Sequence, residues 1–288
     1  MVTDGGYQAQ FYVSTHGVIV IDCPPTIGHK LLYAIGNVTH QPITHMIYTH
    51  SHANHIGGAI LIVKDKVQII AHVATERLLA AVNDPNRPLP KQVFEKDFQL
   101  CVGNQTLELS YKGPNHLEGN IFIYAPTQKV LMLVDVVFPG WTPFSGLGQV
   151  KNVPGYIKAH DQILAYDFVH FVGGHIDRSG VRDDVVVQQE YVNDLFNNCA
   201  HTINLTATTD PVLGGQAIVG PVLAKNPGNG WAAFEVYLEV TAGYCANITN
   251  DKWVARLAGS DVFQFSNAEV MIESLRIDYG ILGAFQNT

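Results

Sequence analysis

Three histidines stand within six residues in Tyr48-Thr49-His50-Ser51-His52-Ala53-Asn54-His55-Ile56-Gly57-Gly58, and no other stretch limits the fold as tightly. The apolar run 43–48 before it reads as a short buried strand, and 55–63 after it as an apolar helix. A tight strand-to-helix turn can aim several imidazoles at one point, and the neutral imidazole is the commonest metal ligand. The plain alternative is a polar loop that happens to be His-rich. Three rings at this spacing, between strand and helix, weigh against it.

The flanking sequence supplies a frame for that turn. Residues 7–14 and 17–22 alternate as a hairpin about Thr15-His16-Gly17, and Pro24-Pro25-Thr26 opens a helix to about 36 with Thr26 as its cap. A strand at 67–71 and a helix at 74–82 follow, closed by Asn83-Asp84-Pro85. Beyond the Pro-rich loop 84–90 come strands at 98–101 and 106–111, a hairpin 120–124/129–134, a helix at 154–166, a strand at 168–172 and a long helix from about 181. From about Trp231 the apolar spacing is helical. The pattern predicts an α/β fold, two sheets packed together with helices outside, with residues 1–200 as a metal-binding domain and 201–288 as a helical C-terminal extension packed on it.

Three later polar residues end apolar strands. His116 sits in the Gly-bounded Gly113-Pro114-Asn115-His116-Leu117-Glu118-Gly119-Asn120, Asp135 follows 130–134, and His175 follows 168–172 in Val172-Gly173-Gly174-His175. A carboxylate at the end of a buried strand is costly unless paired or bound to metal. His116 and His175 each read equally well as structural when taken alone; the shared position at strand ends is what groups them.

The order of these motifs resembles the metallo-β-lactamase superfamily, whose signature is H-x-H-x-D-H followed by a His, an Asp and a final His, over roughly residues 7–200. The resemblance implies an αββα sandwich of two mixed sheets with a site at one edge. It implies that His50, His52 and His116 hold one metal, that His55 and His175 hold a second, and that Asp135 bridges them. Asp22, after strand residues 18–21, would orient a ligand from behind, or else cap a turn. One departure stands out: the signature Asp, which ligates the second metal and orients the attacking water, is Asn54 here. An amide cannot accept a proton, and a charge lost about 2 Å from a dication weakens that site by several kcal/mol.

The chemistry so implied is hydrolytic, with a metal-bound hydroxide cleaving an ester, thioester or lactone and with Asn54 and Asp135 nearest the reaction. The cofactor is Zn2+, two per chain, with Mn2+ or Fe2+ as alternatives. Asp135 resembles the bridging carboxylate of the glyoxalase II and lactonase branches rather than β-lactamases. Two rival readings are a single-iron oxygenase similar to persulfide dioxygenases, using His50, His116 and Asp135, and a non-catalytic relative weakened by Asn54. Trp141 and Phe144, in an apolar loop after Asp135, and Arg178, after His175, are candidates for a substrate pocket; plain core and a pairing with Asp177 or Asp183 are their structural alternatives. His72, after strand 67–71, reads as structural.

Composition limits the partners. A formal net charge of −8 with no basic run argues against nucleic acid, and no apolar run approaches the roughly 18–20 residues of a membrane span. A small-molecule substrate is expected, with homo-oligomerisation left open. Cys23, Cys101, Cys199 and Cys245 form no C-x-x-C pair and read as reduced, buried residues. With no secretory signal visible, a cytoplasmic location is expected. Four N-x-S/T triplets, at Asn37, Asn104, Asn204 and Asn247, stand against roughly two expected by chance and carry little weight.

Overall fold

The computed structural model describes residues 1–64 and 66–286. They divide into two compact units, Met1–Pro139 with Lys158–Val186, and Gly140–Ile157 with Val187–Thr288.

The first unit holds two mixed sheets. One contains β1 (Val2–Thr3), β2 (Gln8–Ser14), β3 (Gly17–Ile21), β4 (Ile43–Ile47), β5 (Gln68–His72) and β6 (Gln92–Phe94) in chain order. The pairings around β2 are antiparallel, and those from β3 to β6 are parallel. The other runs β11-β10-β9-β8-β7, from β7 (Asp97–Val102), β8 (Gln105–Ser110), β9 (Phe122–Ala125), β10 (Val130–Met132) and β11 (His170–Val172). Only its β10–β11 pair is parallel.

The layering is written in β3. All five of its residues are buried, so both faces need cover. Val18 and Val20 enter a core with Leu31 and Ile35 of α1 (His29–Gly36), Ile56 of α2 (Ala53–Ile56) and Leu79 of α3 (Val73–Val82). Ile19 and Ile21, one residue out of phase, enter the core between the sheets with Leu107, Ile123, Met132 and Val172. The predicted αββα arrangement is the observed one.

Local differences have local causes. The first helix starts at His29, not near Pro24, because residues 24–28 turn and Gly28 sits at φ 48° as its cap; Thr26 does not cap it. The helix expected over 55–63 is broken into α2 and a 3-10 turn, Ala59–Leu61. Between them Gly58 donates to the Cys23 carbonyl, and a Cβ there would lie 2.8 Å from that oxygen. β6 was not expected, since its pairing with β5 leaves little trace in so short a run. His72 is structural: its Nδ1 accepts from the Ala74 amide to cap α3 and its Nε2 meets the Glu95 carbonyl.

The second unit is helical. It contains α4 (Ser145–Gln149), the start of α5 (Val153–Leu164), most of α6 (Arg182–Leu205), α7 (Gly215–Lys225), α8 (Gly230–Trp253) and α9 (Ser260–Ile277). α4 is a left-handed turn, with φ between 54° and 69° from Gly146 to Gln149. Such backbone is unfavourable for Leu147, and α9 holds it: Asn267 accepts from the Leu147 amide and donates to the Pro143 carbonyl.

Helix α6 runs through residue 200, the boundary expected from the sequence. Tyr191 of α6 donates to Gln264 of α9, and Cys199 of α6 is disulfide-bonded to Cys245 of α8, so α6 from Val187 onward belongs with the tail helices. The disulfide also overturns the expectation of four reduced cysteines and removes that ground for a cytoplasmic location. Cys23 is free and buried; Cys101 is free and exposed, not buried as expected. Among the described residues no helix is long and apolar enough to cross a membrane.

The bridge closes a loop of 46 residues. Cys245→Ser is expected to destabilise the folded chain by about 2–4 kcal/mol in a denaturant titration. Without reductant, the unfolded wild-type chain should titrate two thiols; four would contradict the bridge.

Candidate metal centre

Every candidate ligand comes from one edge of the two sheets. Chain leaving β3 supplies Asp22, and chain leaving the parallel β4 supplies His50, His52 and His55. Asp135 and His175 follow the parallel strands β10 and β11. β9 runs antiparallel to β10, so His116, which precedes β9, reaches the same edge. The Ile121 amide donates to the Thr49 carbonyl and the Gln8 amide to the Gly174 carbonyl, joining the sheets there.

Asp135 is the centre. Its Oδ2 lies 3.4 Å from His50 Nε2, 3.2 Å from His55 Nε2 and 3.2 Å from His116 Nε2, and its Oδ1 lies 2.8 Å from His175 Nε2. His52 joins through Nδ1, 3.1 Å from His116 Nε2. Two ligand groups result, His50–His52–His116–Asp135 and His55–Asp135–His175, each with donor atoms within 4.8 Å of one another. His50, His55, His116 and Asp135 are buried; His52 and His175 are half-buried.

Partners behind the rings fix which nitrogen faces inward. The Thr49 amide and hydroxyl both donate to Asp22, at 2.9 and 2.7 Å. With its proton so used, Thr49 Oγ1 accepts from His50 Nδ1 at 3.0 Å, which leaves Nε2 bare in the neutral ring. Asp22 therefore acts on His50 through Thr49, a relay the sequence reading did not name. His175 Nδ1 donates to the Gly6 carbonyl at 2.9 Å, again turning Nε2 inward.

The His116 loop is held by two asparagines. Asn115 Oδ1 accepts from the His116 amide at 2.7 Å and from Asn120 Nδ2 at 2.9 Å, and Asn120 also donates to the Val134 carbonyl beside Asp135. Tyr7 lays its ring 5.4 Å from His55 and 4.8 Å from His175. The sequence reading missed Thr49, Asn115, Asn120 and Tyr7 as supports. The asparagines lie inside the quoted motif, but only the fold brings them to the end of β10.

The electrostatics test whether a cation suits this pocket. Burial holds His50 well below the usual imidazole range and His116 down to about 4, so both rings are neutral at pH 7. For His55, burial is outweighed by the Asp135 charge and hydrogen bond and by the Asp22 charge, and its pKa rises. Burial alone would raise Asp135, yet His55, His116 and His175 hold it well below the carboxylate range. Burial pushes Asp22 up to about 6, against the pull of His55 and Thr49. His50 Nε2 is buried and has no hydrogen-bond partner. A bare imidazole nitrogen and a carboxylate oxygen 3.4 Å apart repel unless something positive lies between them. Imidazoles with one carboxylate form a donor set that could hold zinc, iron or manganese.

The remaining candidates are less central. Asn54 is half-buried on α2, one residue before His55. Arg178 does not stand ready for a substrate: its guanidinium makes a two-pronged pair with Asp184 at 2.7 and 3.0 Å, not with Asp177 or Asp183. Trp141, 44% exposed, and Phe144, half-buried, belong to the second unit, where the Trp141 segment bridges to Ala258.

Residues 3–191 match the family model described as the metallo-beta-lactamase superfamily, and the chain belongs to that superfamily. It is 27% identical over 186 residues to the 2,4-dinitroanisole O-demethylase subunit alpha of Nocardioides sp. (strain JS1661), a match covering 63% of this chain and 56% of the relative. It is 24% identical over 178 residues to the metallo-beta-lactamase type 2 of Bacteroides fragilis, covering 58% of this chain and 68% of the relative. Among solved structures, a metallo-beta-lactamase from Pontibacter korlensis superposes with a TM-score of 0.56 at 19% identity, over 67% of this chain and 97% of that one. The TMB-1 structure gives 0.54 at 20% identity, over 64% and 84%. These likenesses show the fold.

Thr49→Val removes the hydroxyl between Asp22 and His50 at nearly constant volume. Zinc affinity measured by chelator competition should fall about 10–100-fold, whereas Thr49→Ser should keep it. An unchanged affinity for Thr49→Val would remove the relay from the account.

Proposed function

We propose that this chain is a metal-dependent hydrolase that cleaves an ester, thioester or lactone bond. One ion would be held by His50, His52, His116 and Asp135, and a second by His55, Asp135 and His175. The observation that carries the reading is the shared carboxylate, a buried Asp135 with four imidazole nitrogens facing its two oxygens. A divalent ion held there would lower the pKa of a bound water to about 7 and would polarise an acyl oxygen. Zinc is the ion that best suits the donor set, with manganese and iron next.

The protein's own groups set the terms of that chemistry. Thr49 with Asp22, and the Gly6 carbonyl, keep His50 and His175 from turning. Asp135 stays ionised and serves as fixed charge. Asn54 is neutral and takes no proton from an attacking water, so turnover should be slower than with a carboxylate at that position. The likeness to a protein named as a 2,4-dinitroanisole O-demethylase subunit adds an activated aryl methyl ether to the substrates worth assaying.

Asn54 is also the one feature that favours a single-iron oxygenase using His50, His116 and Asp135. That reading leaves His55 and His175 facing the same carboxylate without a task. One iron per chain together with oxygen uptake would move the assignment to it.

Metal-stripped protein reconstituted with zinc should turn over at least one of a p-nitrophenyl ester, a thioester, a lactone or 2,4-dinitroanisole. Asp135→Asn and His116→Ala should each lower kcat/KM at least about 100-fold. No turnover above that of free zinc across the panel would contradict the proposal.

A further inference from the structure

His175 differs from the other candidate ligands in what holds the strand behind it. β4, β9 and β10 each have a neighbour on both sides, whereas β11 is three residues long and lies at the edge of its sheet. Its outer side pairs at Phe171 with Gly180, the far end of the same loop that carries His175. That loop also has a shape it would not keep by itself. Gly174 and Ile176, on either side of His175, sit at φ 87° and 67°, and left-handed backbone is most unfavourable for a branched residue.

The hold comes from the other sheet. Residues 3–8 lie along 174–178: the Gln8 backbone amide donates to the Gly174 carbonyl, the Ile176 amide to the Gly6 carbonyl, and the Thr3 hydroxyl to the Ile176 carbonyl. The Gln8 side chain, 0% exposed, spans the loop. Its Oε1 accepts from the Gly174 amide at 3.2 Å, and its Nε2 donates to the Ile176 carbonyl at 3.0 Å and to the Arg178 carbonyl at 2.8 Å. A carboxamide serves as donor and acceptor at once, which neither a carboxylate nor an apolar side chain of that size can do. These bonds bracket His175, whose Nδ1 meets the Gly6 carbonyl of the same segment.

We propose that Gln8 is a positioning residue for His175: its carboxamide ties the exit of β11 to the first sheet and so sets where the imidazole points. The proposal rests on the metal-binding reading above for what the ring serves, since His175 belongs to the group His55–Asp135–His175. Gln8 meets neither ion nor substrate in this role and acts through His175 alone. His50 takes its orientation from Thr49 and Asp22 and should not respond to Gln8.

Gln8→Met keeps the volume and removes every side-chain bond to the loop. In metal-free full-length protein, heteronuclear NMR of labelled imidazoles at a pH where they are neutral reads the rings directly, with the His175 signal identified by its loss in His175→Ala. Wild-type His175 should carry its proton on Nδ1; in Gln8→Met it should divide between the two nitrogens while His50 keeps its Nδ1 proton. Thr3→Val, which removes one bond to the loop at a half-buried position, should move His175 the same way by less, and it decides the matter if Gln8→Met does not fold. An unmoved His175 in whichever variant folds, or an equal change at His50, would overturn the proposal. A second arm uses zinc alone, in competition with a chromophoric chelator. Gln8→Met should lower the zinc affinity that depends on His175 about 10–100-fold, yet change affinity by less than about twofold when introduced into His175→Ala. Additive losses would overturn the action through His175. No zinc bound by the wild type would instead overturn the metal-binding reading and leave the imidazole arm to decide the role of Gln8.

Discussion

The Asp135 carboxylate is the group on which the arrangement depends. It is 1% exposed, it follows β10 at the end of a wholly apolar run, and its backbone sits at φ 64°. A buried charge and a left-handed non-glycine residue are both unfavourable alone. They persist because the surroundings leave no other choice: the Asp135 amide donates to the Gly173 carbonyl, Asn120 holds the preceding carbonyl, and four imidazoles surround the acid. Asp22 repeats the pattern at the end of β3, with φ 58° and full burial. Two aspartates with left-handed backbone thus stand at two strand ends of the same edge.

The direction of the strands makes this possible. β3 and β4 point the same way, as do β10 and β11, so four strand exits open on one edge. The glycines there serve close approach. A Cβ on Gly174 would lie 2.5 Å from the Val134 side chain, so His175 can follow β11 this tightly only behind a glycine. Gly119, at φ 84°, brings the His116 loop against Thr75 in the same way.

Much of this was legible in the residues. The alternation in β3, the His-rich turn and the polar residues ending apolar strands were enough for two layered sheets and for the set His50, His52, His55, His116, Asp135 and His175 to be brought together. What was not legible depends on distance in sequence. Thr49 links Asp22 to His50 only because β3 and β4 pair, and Asn120 reaches Val134 only because β9 and β10 do. Arg178 looked available because Asp184, its partner, lies six residues on along a turn into α6. The Cys199–Cys245 bridge joins helices whose packing no local pattern reports, so the cysteines read as reduced.

The site then reads as imidazoles gathered around one acid in groups that could hold metal, with partners behind His50 and His175 that fix ring orientation. The most direct test is anomalous diffraction at the zinc edge from crystals grown with zinc. The account predicts a peak within coordination distance of His50, His52, His116 and Asp135. Well-ordered density for those side chains with no anomalous peak among them, at saturating zinc, would contradict it.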